Sequence, residues 1–148
     1  MTTLVIREMG AFDIDSVYRL GVEAFDVREK LYHQSWSREE IKRHLNRDRR
    51  LCLVAETNGR MVGFALGHKR YSSWSRSLGH FEWIAVSGEC RGRGVADALC
   101  EELLGRFEAA GVRRVLADIE SENARSKRLF ERISFRRAFS VDWLMKEL

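Results

Sequence analysis

The chain has 148 residues, 45% of them hydrophobic and 32% charged, with a formal net charge of +4 at pH 7. That length fits one domain with a proper core, taken as residues 1–148, and no apolar run approaches the roughly 20 residues that span a membrane. The small, sign-mixed charge lacks the basic stripe and reading motif of a nucleic-acid binder. Neither nucleic acid nor a membrane is therefore expected as a partner. Met1 to Arg7 lacks the plan of a signal peptide, so the cytoplasmic compartment is the expected location. Cys52, Cys90 and Cys100 form no metal-like pair, and their odd count argues against a disulfide framework. Cys52 and Cys100 sit in apolar patterns as small core residues; Cys90 borders a glycine loop. No metal is expected.

In chain order, Leu4 to Arg7 reads as a first strand. Ile14, Val17, Tyr18, Gly21 and Phe25 then recur at helical spacing, with Asp13 as the cap. A second helix is expected from Ser37 to Leu45, opened by Ser37 and Glu40 as a capping box. Arg43, Arg47, Arg49 and Arg50 cluster near its end, where cations are favourable. Leu51 to Glu56 is a strand, Asn58-Gly59 a hairpin turn, and Met61 to His68 the returning strand. Lys69 to Gly79 reads as a long polar connection, and Leu78 to Val86 as the next strand.

Arg91-Gly92-Arg93-Gly94-Val95-Ala96 follows that strand and opens a helical stripe of Val95, Ala98, Leu99, Leu103, Phe107 and Ala110. A helix N-terminus carries about half a positive charge and four unbonded N–H groups. Glycines let a phosphate approach those groups closely, and two arginines add donors. The turn is built to hold a phosphorylated ligand. Gly111 ends this helix; Val112 to Ile119 is a strand, Asn123 to Ile133 a shorter helix, and Phe135 to Leu148 one or two closing strands.

This order and these residues resemble the GNAT superfamily of acetyl-CoA-dependent N-acetyltransferases, over essentially the whole chain. The superfamily's pyrophosphate motif, Arg/Gln-x-x-Gly-x-Gly/Ala, is matched by Arg91 through Ala96. Ile84-Ala85-Val86 resembles the strand whose backbone pairs with the pantetheine arm, and Asn123 through Phe135 resembles the family's Asn-bearing helix with its following Phe. A narrower resemblance, to the ribosomal-protein alanine N-acetyltransferase type, rests on Ser35-Trp36-Ser37 and on the spacing from Arg91 through Asp118 and Asn123 to Phe130. The resemblance implies an α/β fold: a GNAT-like mixed central sheet of six to seven strands flanked by about four helices.

It also implies direct transfer of an acetyl group from acetyl-CoA, as co-substrate, to a primary amine. The amides from Gly92 to Ala96 would hold the pyrophosphate, with Arg91, Arg93 and Asp97 in the same turn. The backbone of Ile84, Ala85 and Val86 would line the arm, an N–H near Val86 would meet the oxyanion, and Asn123 would reach the CoA arm. Arg125, Lys127 and Arg128 either meet the 3′-phosphate or form a solvated helix face. Two carboxylates are candidate bases: Asp118, on the strand after the loop helix, and Glu82, sharing a strand face with Ile84 and Val86. Either would need a raised pKa or a relaying water. His80 is a third option, expected as an exposed histidine.

Phe130 departs from the family, many of whose members carry a tyrosine there to protonate the leaving thiolate. Ser134 departs too, standing where a glycine usually precedes the phenylalanine. The missing proton donor keeps a second class open, a catalytically silent CoA- or acyl-CoA-binding sensor module. The acceptor is a small-molecule or peptide amine, with a protein N-terminal α-amine among the options. Its site would fall to the first helices, which carry Glu23, Asp26 and Glu29, and to the 69–79 connection with Tyr71 and Trp74. A closing edge strand would allow a homodimer without requiring one.

Overall fold

A computed structural model describes residues 3–25, 36–72 and 75–148. Asp26, Glu29, Ser35 and Trp74 lie outside the described residues, as does the side chain of Tyr71. The chain forms two compact units, Met1–Asp118 and Ile119–Leu148, described separately.

In the first unit, β1 (Leu4–Glu8) pairs antiparallel with β2 (Cys52–Thr57), and β2 with β3 (Arg60–Ser72). Asn58 and Gly59 between them hold φ of 52° and 73°, the left-handed pair that a tight hairpin of matching twist requires. β3 pairs antiparallel with β4 (Ser75–Val86), and β4 pairs parallel with β5 (Arg114–Ala117). Of the polar 69–79 stretch, expected as a long connection, residues 69–72 instead end β3 and residues 75–79 begin β4. Its polarity misled because backbone pairing, not side-chain hydropathy, carries a ladder where a strand meets solvent.

The sheet faces differ in what covers them. Helices α1 (Ile14–Ala24) and α2 (Arg38–Arg47) cover one face, where Val17, Trp36, Ile41, Leu45, Phe64 and Leu66 share a core. Phe25, Trp36, Phe64 and Trp83 pack ring against ring there, with centroids 5.0–5.2 Å apart for most pairs. The other face receives α3 (Val95–Ala109). A Cβ on Gly67 or Gly79 would stand 2.7 Å from the Phe107 ring, so the two glycines make the seat for that side chain.

Asp13 does not cap α1; its carboxylate turns back to accept from the Gly10 N–H and to pair with Arg7 at 2.7 Å. Ser37 caps α2 as expected, its hydroxyl accepting from the Glu40 N–H, but Glu40 does not complete the box. Its carboxylate is taken by Arg43 and Trp83.

The second unit holds α4 (Ala124–Arg132), capped by Asn123, whose Oδ1 accepts from the Ser126 N–H. Ser134 adopts φ of 74°, the role a glycine fills without strain, and lets the Phe135 N–H reach the Phe130 carbonyl at 2.9 Å. The sheet has five strands among the described residues, not six to seven. The expected closing strands are absent: Phe135–Leu148 forms no strand, and Phe139, Val141 and Trp143 are exposed. Alternating apolar residues supply a face, but a strand also needs an edge to satisfy its backbone groups.

Candidate active site

Two regions of β4 bear the chemistry. At its C-terminal end, Gly88–Cys90 makes one tight turn, and the loop runs into α3 through Gly92 and Gly94, with φ of 75° and 80°. Both glycines are needed for conformation, since a Cβ on either would meet nothing within 4 Å. Gly94 is the helix N-cap and has no side chain to offer, so no side chain caps α3. Arg91, Gly92, Arg93 and Gly94 are exposed, Ala96 and Asp97 half-buried, and Val95 packs into the core, leaving its backbone to face the loop. The result is an exposed helix N-terminus without a side-chain cap, preceded in the loop by two exposed arginines, a geometry suited to an anion.

The strand leading into this loop has an open edge. β5 pairs with β4 only from Leu78 to Phe81, ending at Ala117. Glu82 through Val86, including Ile84 and Ala85, continue past it with β3 on one side and no strand on the other among the described residues. Backbone groups at 84–86 therefore have no strand partner on that side among the described residues.

The second region is a histidine–carboxylate cluster, and its geometry begins with a bulge. The β3–β4 ladder pairs Leu66 with Trp83 and Gly67 with Phe81, so Glu82 is skipped. The extra residue breaks alternation. Trp83 and Glu82 both face α2, whereas Val86, opposite Gly63, lies on the α3 face. The expectation that Glu82 shares a face with Ile84 and Val86 fails for that reason.

Glu82 Oε2 lies 3.0 Å from His44 Nε2 of α2 and 3.1 Å from His68 Nδ1 of β3. Burial pushes the Glu82 carboxyl pKa up, and the two imidazoles overcome it, holding the group well below the usual carboxylate range. A raised pKa, one of the two conditions set for a base here, is not what the site provides; the carboxylate is ionised and 30% exposed. Burial, the largest influence on His68, lowers its pKa against the pull of Glu82.

His80, opposite His68 in the ladder, is not an exposed histidine: its side chain is 12% exposed and its ring centroid is 5.2 Å from that of His68. Its Nε2 stands 3.5 Å from Asp118 Oδ2, just past the end of β5. That contact, with other nearby charge, lowers the Asp118 pKa, and the Asp118 side chain is 68% exposed. So β3, β4 and the end of β5 bring Glu82, His68, His80 and Asp118 together, with His44 and Glu40 added from α2. In the second unit, Asn123 spends its Oδ1 on the α4 cap; Arg125, Lys127 and Arg128 are exposed; and Phe130 packs edge-on against Phe135 at 5.0 Å.

The chain belongs to the acetyltransferase (GNAT) family, whose description matches residues 15–135, and it is a transferase enzyme. It is 28% identical over 136 residues to an uncharacterised N-acetyltransferase of Methanocaldococcus jannaschii, covering 90% of this chain and 78% of that one. Among solved structures, the fold is similar to aminoglycoside N-acetyltransferase AAC(6')-Iy in complex with CoA, at a TM-score of 0.79 and 21% identity, covering 100% of this chain and 97% of that one. It is likewise similar to the ribosomal-protein alanine N-acetyltransferase of Escherichia coli, at a TM-score of 0.75 and 22% identity over 93% of this chain and 80% of that one. No helix among the described residues is long and apolar enough to cross a membrane.

Proposed function

We propose that the enzyme transfers the acetyl group of acetyl-CoA directly to a primary amine, and that a peptide α-amine in the cytoplasm is the acceptor. The observation that carries this reading is the open β4 edge at 82–86 running into the uncapped N-terminus of α3. That arrangement suits a ligand with an amide-bearing arm and a pyrophosphate end. The amides of Gly92 to Ala96 hold the phosphates, Arg91 and Arg93 add charge-assisted bonds, and Asp97 closes the first turn.

In the reaction the amine nitrogen attacks the thioester carbonyl and forms the C–N bond. The oxyanion is met by a backbone N–H near Val86. The C–S bond then breaks and CoA leaves as thiolate. With Phe130 in place of a hydroxyl donor, the thiolate departs unaided, as a thiol of pKa about 8.5 allows. The amine proton passes to Glu82, directly or through one water. An ionised carboxylate with a depressed pKa is a weak base, and this favours an α-amine, pKa about 8, over a lysine at about 10.4. Freeing the first near neutrality costs on the order of 1 kcal/mol, the second about 4 to 5. Asp118 orients His80 beside this cluster.

The test is acetyl-CoA consumption against N-terminal peptides, amino acids, polyamines and aminoglycosides. Turnover with peptides in preference to lysine side chains supports the reading. Tight CoA binding with no turnover on any class would instead support the silent CoA-binding module that Phe130 suggests.

A further inference from the structure

Three ligating atoms converge beneath α2. His44 Nε2, His68 Nδ1 and Glu82 Oε2 all lie within 4.8 Å of one another. The oxygen is 3.0 and 3.1 Å from the two nitrogens, close enough for hydrogen bonds. Yet none of these three buried atoms has a hydrogen-bond partner of acceptable geometry among the described residues.

The far side of His44 explains what Nε2 can do. Its Nδ1 lies 3.4 Å from the Gly67 carbonyl, which can only accept. With its proton on Nδ1, a neutral His44 would present the Nε2 lone pair to Glu82 and to Glu40, whose Oε1 is 3.3 Å away. His44 is 1% exposed and Glu40 7%. Lone pairs facing one another in a buried space call for a cation between them.

We propose that His44 Nε2, His68 Nδ1 and Glu82 Oε2 form a binding site for a divalent transition-metal ion of the zinc type. Two imidazoles and a carboxylate are a zinc donor set, and nitrogen ligands disfavour magnesium and calcium. Zinc–ligand bonds of about 2.0–2.1 Å in a tetrahedron set co-ligands about 3.3–3.4 Å apart. The two measured edges fall within a few tenths of an ångström of that. In such a tetrahedron each ligand points at the shared centre, about 35° off the line to its co-ligand. The Gly67 carbonyl on the second nitrogen of His44 is the outer contact that orients a metal-binding imidazole. Water or Glu40 completes the fourth position. The ion occupies the Glu82 lone pair, so where Glu82 is the proton acceptor, a clause that rests on the proposed function, zinc stops acetyl transfer.

The experiment uses the whole tag-free chain, stripped with a chelator and titrated with Co²⁺ as the visible probe, then with Zn²⁺. One Co²⁺ per chain with the intense absorption of four-coordinate cobalt, displaced by one equivalent of Zn²⁺, is the expected result. Affinity falls more than about 100-fold in His68→Gln and in Glu82→Gln, beyond the 10–100-fold that outer contacts cost. Cys90→Ser keeps it. His68→Gln is the chief variant because His44 is fully buried, and circular dichroism checks that it folds. No stoichiometric binding, or binding that survives His68→Gln, overturns the site and leaves the proposed function standing. Bound zinc that abolishes turnover, restored by chelation, supports both readings. Bound zinc with unchanged turnover upholds the site and overturns Glu82 as the proton acceptor.

Discussion

The glycine loop and the histidine–carboxylate cluster are both served by β4, yet they are built by opposite means. The loop is six consecutive residues, largely exposed, whose proposed role rests on backbone N–H groups and needs only the right φ at Gly92 and Gly94. The cluster gathers side chains from α2, β3, β4 and the end of β5, residues 40 to 118 in the chain, and joins largely buried ring nitrogens to carboxylates of differing exposure. An anion site can be local because a helix terminus supplies its donors by geometry alone. A proton or metal site has to be assembled, because desolvation, which gives it its properties, takes several elements packed together.

The sharpest separation of the two comes from Glu82→Gln. We expect kcat to fall about 10²- to 10⁴-fold while CoA affinity, measured by calorimetry, stays unchanged. Equal losses in both would merge the regions into one. Gly94→Ala is the converse. An alanine held at φ of 80° costs about 1–2 kcal/mol, and its Cβ touches nothing. The expected result is a roughly tenfold rise in KM for acetyl-CoA with kcat kept at saturation, read from steady-state kinetics.

Acid should find the cluster before the loop. A His68 pKa below the unfolded value of about 6.5 means the unfolded chain takes the proton first. The stability this group contributes is full above about pH 6.5 and is lost as pH falls toward the folded pKa. His44, His80 and Glu82 face it. Glu82, also depressed, adds its own loss only below about pH 4.3. Thermal melts should fall from pH 7 to 5, and fall less steeply in His68→Gln. The smallest effect is expected of Asp118→Asn. Its 3.5 Å contact is mostly in water, so kcat should drop at most about fivefold. A larger drop would make Asp118 the proton acceptor.

How much of this was legible in the chain follows the same division. Arg91 to Ala96, the Asn58-Gly59 turn and the α3 stripe are local patterns, and each lies where its spacing placed it. Glu82 and Asp118 were visible as carboxylates near the loop, but not their partners. His44 reads as one more polar residue on an amphipathic helix, and His68 as the end of a strand; nothing local says that they meet. Metal spacing is legible where ligands are close in sequence, as in paired cysteines, whereas His44, His68 and Glu82 are separated by 24 and 14 positions. Glu40 looked like half of a capping box because the motif is local, and tertiary partners claimed its carboxylate instead. The expected closing strands do not form among the described residues, because an alternation pattern reports a face and not a hydrogen-bonded partner.

The skipped residue in the β3–β4 ladder has a consequence for the gene as well. On either side of Glu82 the strand alternates regularly, Phe81 opposite Gly67 and Trp83 opposite Leu66. Removing that one codon in frame would close the ladder, leave the sheet and the downstream loop in register, and delete the carboxylate outright. Where Glu82 is the proton acceptor, as proposed, transfer would be lost through a change in length by one triplet, with the rest of the ladder in register. Divergent copies would differ there by an indel, where a search for amino-acid replacements would not look.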